Sequence, residues 1–339
     1  MVGKIRRLVV LFMVATMLMM FFGVFNSLAT VNPTSDDPII IKFNTSHHPG
    51  SVRVNSMEYF KYLVELKTEG RVRVDIYPSS QLGGHREVLE MIRLGTVEMD
   101  VGDLAANYAA EMGVTMLPYL FRDRAHAFSV LDGPIGEEIV ERLPEFGIRA
   151  FPNAHWENGF RQITNSRRPV HAPEDLVGLK NRVVEAPVYM ETMSAFGVLT
   201  TPLSIGEVYS ALQTRIIDGQ DNPLSVITIN KIHEVQDHIA FTNHIYGVVT
   251  VWASEIWWQT LPEDIQDAIV WALGQTTPVN RYLSIQDDDL LDVLKEENPN
   301  IQVTYPDPEP FRKLVYEKVY PKFYDTIGED LINRVINWD

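Results

Sequence analysis

The chain has no cysteine, which excludes disulfides and thiolate-held metals. Beyond one apolar stretch near the N-terminus, no run reaches the ~18 residues a membrane-spanning helix needs. The GxSxG elbow, the Walker phosphate loop and the GxGxxG turn are all missing. Positive charge is scarce: 29 Lys and Arg against 45 Asp and Glu give a formal net charge of -16, which argues against nucleic acid or an anionic membrane as partner. An acidic chain repels organic anions at long range too, so an anion site here must be built from local, enclosed cations. Metal-ligand spacing is also lacking. His47 and His48 are adjacent and point to opposite faces of an extended segment, His233, Glu234 and His238 miss the HExxH spacing, and Asp287, Asp288 and Asp289 lack calcium-loop grammar. No metal or cofactor is expected. Acid pairs are too common in so acidic a chain to argue for glycoside hydrolysis.

What is present begins with Lys4, Arg6 and Arg7, an apolar stretch from Leu8 to Val24, and Asn26-Ser27-Leu28-Ala29. This reads as a signal peptide over residues 1–29, with Thr30 as the mature start and the periplasm as destination. The stretch is also long enough for a retained anchor. Without those three cations the formal charge is -19. The remaining length exceeds what one core holds, so two domains are expected.

From Ile39 the periods of 2.0 and 3.6 interleave. A strand at Ile39 to Asn44, a helix at Val54 to Glu69, a strand at Val72 to Ile76, a helix at Arg86 to Leu94 and a strand at Val97 to Val101 follow one another. This βαβαβ order predicts an open parallel sheet covered by helices. The alternation resumes after a helical region at Arg124 to Leu143, with strands near 148–151, 179–185 and 198–201 and a helix at Val188 to Phe196. Ser204 and Glu207 form a capping box for a further helix. The fold class is therefore α/β with two lobes, and ligands in such sheets sit beyond the carboxyl ends of the strands.

Two arginines and an asparagine stand out: Arg161 in Asn158-Gly159-Phe160-Arg161, Arg182 in Gly178-Leu179-Lys180-Asn181-Arg182, and Asn222 in Asp218-Gly219-Gln220-Asp221-Asn222-Pro223. A guanidinium holds a carboxylate through two parallel charge-assisted hydrogen bonds, and an amide adds a donor beside it. The pattern points to a small organic acid. His47, Asp103 and Glu185 fall near predicted strand ends.

These words, with Ser79 to Gly84, Leu117 to Asp123, Thr164-Asn165-Ser166, Pro173 to Leu176 and Glu207 to Gln213, occur in an order that resembles the periplasmic solute-binding subunit of TRAP transporters, the DctP type. The resemblance spans nearly the whole mature chain. It implies a two-lobed periplasmic-binding-protein architecture with a ligand cleft between lobes and long bracing helices. Lobe I is expected over 38–159 plus about 248–287, and lobe II over 160–247 plus about 288–339. It implies that Arg182 grips a ligand carboxylate, that Arg161 is the second cleft arginine, and that Asn222 completes the clamp. His47, His85, Asp103, Trp156 and Glu185 stand where relatives vary residues to suit their ligands. The implied protein is a non-enzymatic monomer that hands its acid to TRAP membrane permease subunits driven by an ion gradient. A periplasmic lyase or hydrolase on the same frame, and a membrane-tethered sensor, are the competing readings. Three departures from the family wording are Val184 for a proline, Ile205 for an aromatic that often walls the ligand, and Gln213-Thr214-Arg215 for a Gln-x-Gly turn.

Overall fold

The computed structural model describes residues 33–285 and 289–338. The signal peptide, Asp287 and Asp288 lie outside the described residues. The strands are β1 (Ile39–Asn44), β2 (Val72–Tyr77), β3 (Met99–Gly102), β4 (Ile148–Phe160), β5 (Gln162–Asn165), β6 (Lys180–Val183), β7 (Leu199–Pro202), β8 (Gly219–Asn222), β9 (His238–Ala240), β10 (Tyr246–Ser254) and β11 (Gln302–Thr304). They form two sheets, in the orders β2-β1-β3-β10-β4 and β11-β9-β5-β8-β6-β7.

The first sheet is parallel only over β2, β1 and β3, as the alternating pattern requires; β10 then pairs antiparallel with β3 and β4. β10 is buried at every residue, so it has no polar face for period-two reading to detect. The helices Val52–Lys67 and Glu263–Ile285 cover one face of this sheet, around Phe43, Phe60, Trp156 and Leu273. Arg281 locks the second of these helices to Asp132 through paired bonds of 2.7 and 2.8 Å. The helical region predicted at Arg124 to Leu143 is split at Gly133-Pro134 into Arg124–Leu131 and Pro134–Glu138, because proline disfavours helix at the residue before it.

In the second sheet β6 runs parallel to β7 and β8, while β5 runs antiparallel to β8 and β9. The Ser204 capping box starts the helix Ile205–Gln213, with Ser204 N–H donating to Glu207 Oε2 at 3.0 Å. The chain crosses between the sheets three times: at β4 to β5, at β9 to β10, and from β10 to β11 by way of the helix Glu263–Ile285. The first two crossings lie side by side, since Arg161 N–H donates to Ile245 O at 2.9 Å.

The C-terminal segment touches both halves of this two-lobed α/β fold. Phe311 meets Phe196 edge-on at 5.2 Å, while Tyr320 Oη donates to Pro118 O at 3.0 Å and Arg122 donates to Trp338 O at 2.8 Å. No described helix is long and apolar enough to cross a membrane.

Candidate functional site

A cavity of about 520 Å³ opens between the sheets, within the range of small-molecule sites. Its wall brings together Arg161, Arg182, Asn222, Glu185, Asp103, His85 and His47, seven of the eight residues singled out in the sequence. Trp156 is not on that wall. Its indole is 1% exposed, packs in the first core and donates to Thr277 Oγ1 at 3.2 Å. A side chain with so much apolar area is held more strongly by the core than by a wet cleft. Trp252 and Tyr246 are core residues for the same reason.

Arg182 is carried by β6, where it pairs with Thr201 of β7. Its side chain is buried, and its Nε donates to Leu203 O at 2.8 Å, the bond that fixes the direction of the guanidinium. Among the described residues it has no acidic ion-pair partner. Burial, with Arg161 nearby, pushes its pKa down to about 10, against the pull of Asp221 and Asp103. A guanidinium so held is charged at neutral pH yet poorly solvated, and a bound carboxylate would relieve that cost.

Arg161 differs. It sits at the crossing from β4 to β5 and donates through Nε to Asp221 Oδ2 at 2.5 Å and through a terminal nitrogen to the Asp221 carbonyl. Burial disfavours its charge, but Asp221 more than offsets this and the pKa is raised. Its guanidinium lies 4.9 Å from the Tyr189 ring centroid. Arg161 is thus neutralised by Asp221 and braces the crossing.

The crossing depends on Gly159, whose φ of +93° suits glycine and whose missing side chain leaves room for Pro223, 3.3 Å from where a Cβ would stand. That approach brings Asn222 to the cavity. One of its amide hydrogens is already given to Gln220 Oε1 at 2.5 Å, so at most one donor faces the cavity.

Asp103 follows β3, and its Oδ2 accepts from Tyr189 Oη at 3.1 Å, a contact between the two halves. His85 opens the helix His85–Arg93, against Gly102, where a Cβ would meet its Nδ1 at 3.2 Å. Its Nδ1 lies 3.1 Å from Asp100 Oδ2 and its Nε2 lies 2.7 Å from Ser46 Oγ. His47 is half-buried; burial, then Arg53, His85 and His48, hold its pKa well below 6.5. Glu185 lies at the mouth, 3.8 Å from Arg86 across the gap, with both side chains exposed.

Sequence reasoning missed Arg53 and gave Asn158 no role beyond the Arg161 word. Arg53 is buried in the first turn of the helix Val52–Lys67, donating to Asn158 Oδ1 at 3.1 Å, with Val101 O at 3.4 Å. Burial lowers its pKa to about 10 although Asp103 and Asp100 oppose it. The available signal was its place on the helix face shared with Ser56, Met57 and Phe60, where a surface cation does not belong. Among the described residues no cluster of three His, Asp or Glu is spaced to hold a metal ion.

The family model for DctP, bacterial extracellular solute-binding protein family 7, matches residues 43–326. The sialic acid-binding periplasmic protein SiaP of Vibrio cholerae is 33% identical over 87% of this chain and 91% of its own length. Among solved structures, a TRAP periplasmic solute-binding protein from Sulfurospirillum deleyianum with bound succinate aligns at a TM-score of 0.84, 30% identical, covering 89% of this chain and 99% of that one. One from Polaromonas bound to D-erythronate aligns at 0.84, 33% identical, covering 88% and 98%.

Proposed function

We propose, from the premise that this chain belongs to the DctP family of bacterial extracellular solute-binding proteins, that it captures a small organic acid in the cavity between its sheets. The observation that carries the reading is Arg182, a buried guanidinium on the cavity wall with no acidic partner among the described residues. The similar proteins named above are described with sialic acid, succinate and D-erythronate, all carboxylic acids. Arg182 takes the carboxylate, with Arg161 and Asn222 beside it and His47, His85, Asp103 and Glu185 facing the rest of the ligand.

Lobe I comprises 38–159 with about 248–287, and lobe II 160–247 with about 288–339, in this reading. The paired crossings at β4 to β5 and β9 to β10 serve as the hinge, and ligand favours the closed arrangement by touching both lobes. The acid is then passed to TRAP permease subunits by a monomeric periplasmic protein whose leader has been removed. The protein acts as a carrier and leaves its ligand chemically unchanged.

A thermal-shift screen of the purified mature protein against sugar acids, dicarboxylates, keto acids and aromatic acids tests the reading. A ligand at 100 times its dissociation constant adds about 2.7 kcal/mol of stability. A clear rise in Tm with at least one carboxylate is expected; no rise with any of them, alongside one with neutral sugars, overturns it.

A further inference from the structure

The charges around the cavity can be matched off. Arg161 is paired with Asp221, and Arg86 with Glu185. Glu87 and Glu207 are engaged at helix starts, where they accept from Gly84 N–H at 3.1 Å and Ser204 N–H at 3.0 Å, and the helix termini there favour a negative charge. Three charged groups on the wall have no such assignment: Arg53, Arg182 and Asp103. On the wall two positive charges face one negative, and the buried Asp100 behind it adds a further negative charge, so at most a single positive charge is left for the ligand to answer. A dicarboxylate would leave an uncompensated negative charge beside Asp103, in a place where water cannot screen it well.

Two polar groups on the same wall present acceptors to the cavity. Asp103 uses Oδ2 for Tyr189 and keeps Oδ1. Asp100 accepts from Asn44 Nδ2 at 3.1 Å and lies 3.1 Å from His85 Nδ1, so in the neutral ring the proton sits on Nδ1. Nε2 then accepts the Ser46 hydroxyl proton at 2.7 Å, and Ser46 meets the cavity with its lone pairs. Acceptors facing a cavity call for donors on the ligand. The wall near Arg182 is aliphatic, with Val184, Leu203 and Ile205, so it offers no ring to stack against.

We propose that the ligand is a monocarboxylic acid bearing hydroxyl groups, its single carboxylate answering Arg182 and Arg53 and its hydroxyls donating to Asp103 and Ser46. This rests on the carboxylate reading above and narrows it. It gives Asp103 the role of excluding a second carboxylate and Ser46, oriented through His85 by Asp100, the role of reading a hydroxyl.

Calorimetric titration with D-erythronate, D-gluconate, succinate and butyrate tests the assignment. At least one of the two hydroxy acids is expected to bind 10-fold or more tighter than succinate and butyrate. Asp103→Asn should weaken that acid by roughly 10-fold or more and tighten succinate, closing the gap between them. Ser46→Ala should weaken the hydroxy acid by roughly 2- to 10-fold with no change for succinate, which guards against misfolding of the first variant. Succinate binding as tightly as either hydroxy acid, or an unchanged preference in both variants, overturns the proposal and leaves the carboxylate reading intact. Absence of binding by all four acids counts against both.

Discussion

Arg161 Nε lies 2.5 Å from Asp221 Oδ2, with the two side chains 3% and 1% exposed. His244 Nε2 is 3.3 Å from the same oxygen. This pair holds the crossing between sheets in one geometry, and breaking it leaves a buried cation without compensation. Asp221→Asn is expected to cost about 3–5 kcal/mol, read as a lowered midpoint of urea unfolding at neutral pH.

The same pair fixes a pH dependence. Burial works to raise the Asp221 pKa, but Arg161 and then His244 more than offset it, so the carboxyl stays below the usual range. A folded-state pKa below the unfolded ~3.9 means the contribution is complete above about pH 4 and is lost as the pH falls further. The stability gap between parent and Asp221→Asn should therefore be flat from pH 8 to 5 and shrink on acidification. A gap that grows towards acid contradicts this.

His155 sets a second dependence in a higher window. It is buried between Thr250 Oγ1 at 2.9 Å and Gly136 O at 3.1 Å, and burial holds its pKa at about 4 in spite of that carbonyl. The unfolded chain takes the proton near pH 6.5, so this stabilisation is full above 6.5 and falls away between 6.5 and 4. The shift corresponds to about 3 kcal/mol. Unfolding of parent and His155→Gln across that range should show their gap narrowing as the pH drops; parallel curves would rule the assignment out.

Trp156 separates folding from binding. Trp156→Ala should destabilise the protein by about 3–5 kcal/mol, as expected for loss of a large buried side chain. Ligand affinity, measured by calorimetry below the lowered Tm, should stay within about threefold of the parent. A large loss of affinity at unchanged stability would return the indole to the site.

What the sequence made legible follows from how each residue signals its surroundings. β1, β2 and β3 show as alternation or short apolar runs between turn residues, and Ser204 and Glu207 mark a helix start through a local bond. β5 and β8 escaped because Gln162, Thr164, Gln220 and Asn222 are polar yet buried, satisfied by bonds to one another and to Gln236 and Asn243 that no local pattern reveals. Of the residues lining the cavity, Arg161, Arg182 and Asn222 were singled out because recognisable words carry them. Arg53 was not, because its meaning comes from Asn158, more than a hundred residues away.

Carrier and enzyme make different predictions for the Ser46, His85 and Asp100 chain, since a serine, histidine and aspartate bonded in series also activate a nucleophile in hydrolases. As a carrier, the protein should return its acid chemically unaltered after prolonged incubation. It should also leave simple esters and sugar lactones hydrolysing at the buffer rate, judged by mass spectrometry. Product that scales with protein and disappears in Ser46→Ala would establish turnover.

The most direct measurement compares Arg182→Ala and Arg182→Lys with the parent, each unfolded without ligand and titrated with the acid that stabilises the parent best. Loss of a guanidinium from an enclosed carboxylate pair costs about 2–5 kcal/mol, or roughly 30-fold to several thousand-fold in affinity. The lysine variant should also fail, because an ammonium cannot make the two-pronged contact. Stability without ligand should hold or rise in Arg182→Ala, since that substitution removes a buried charge with no acidic partner among the described residues. Affinity within threefold of the parent, or a large loss of unliganded stability, would show that Arg182 serves the fold and that the carboxylate is held elsewhere.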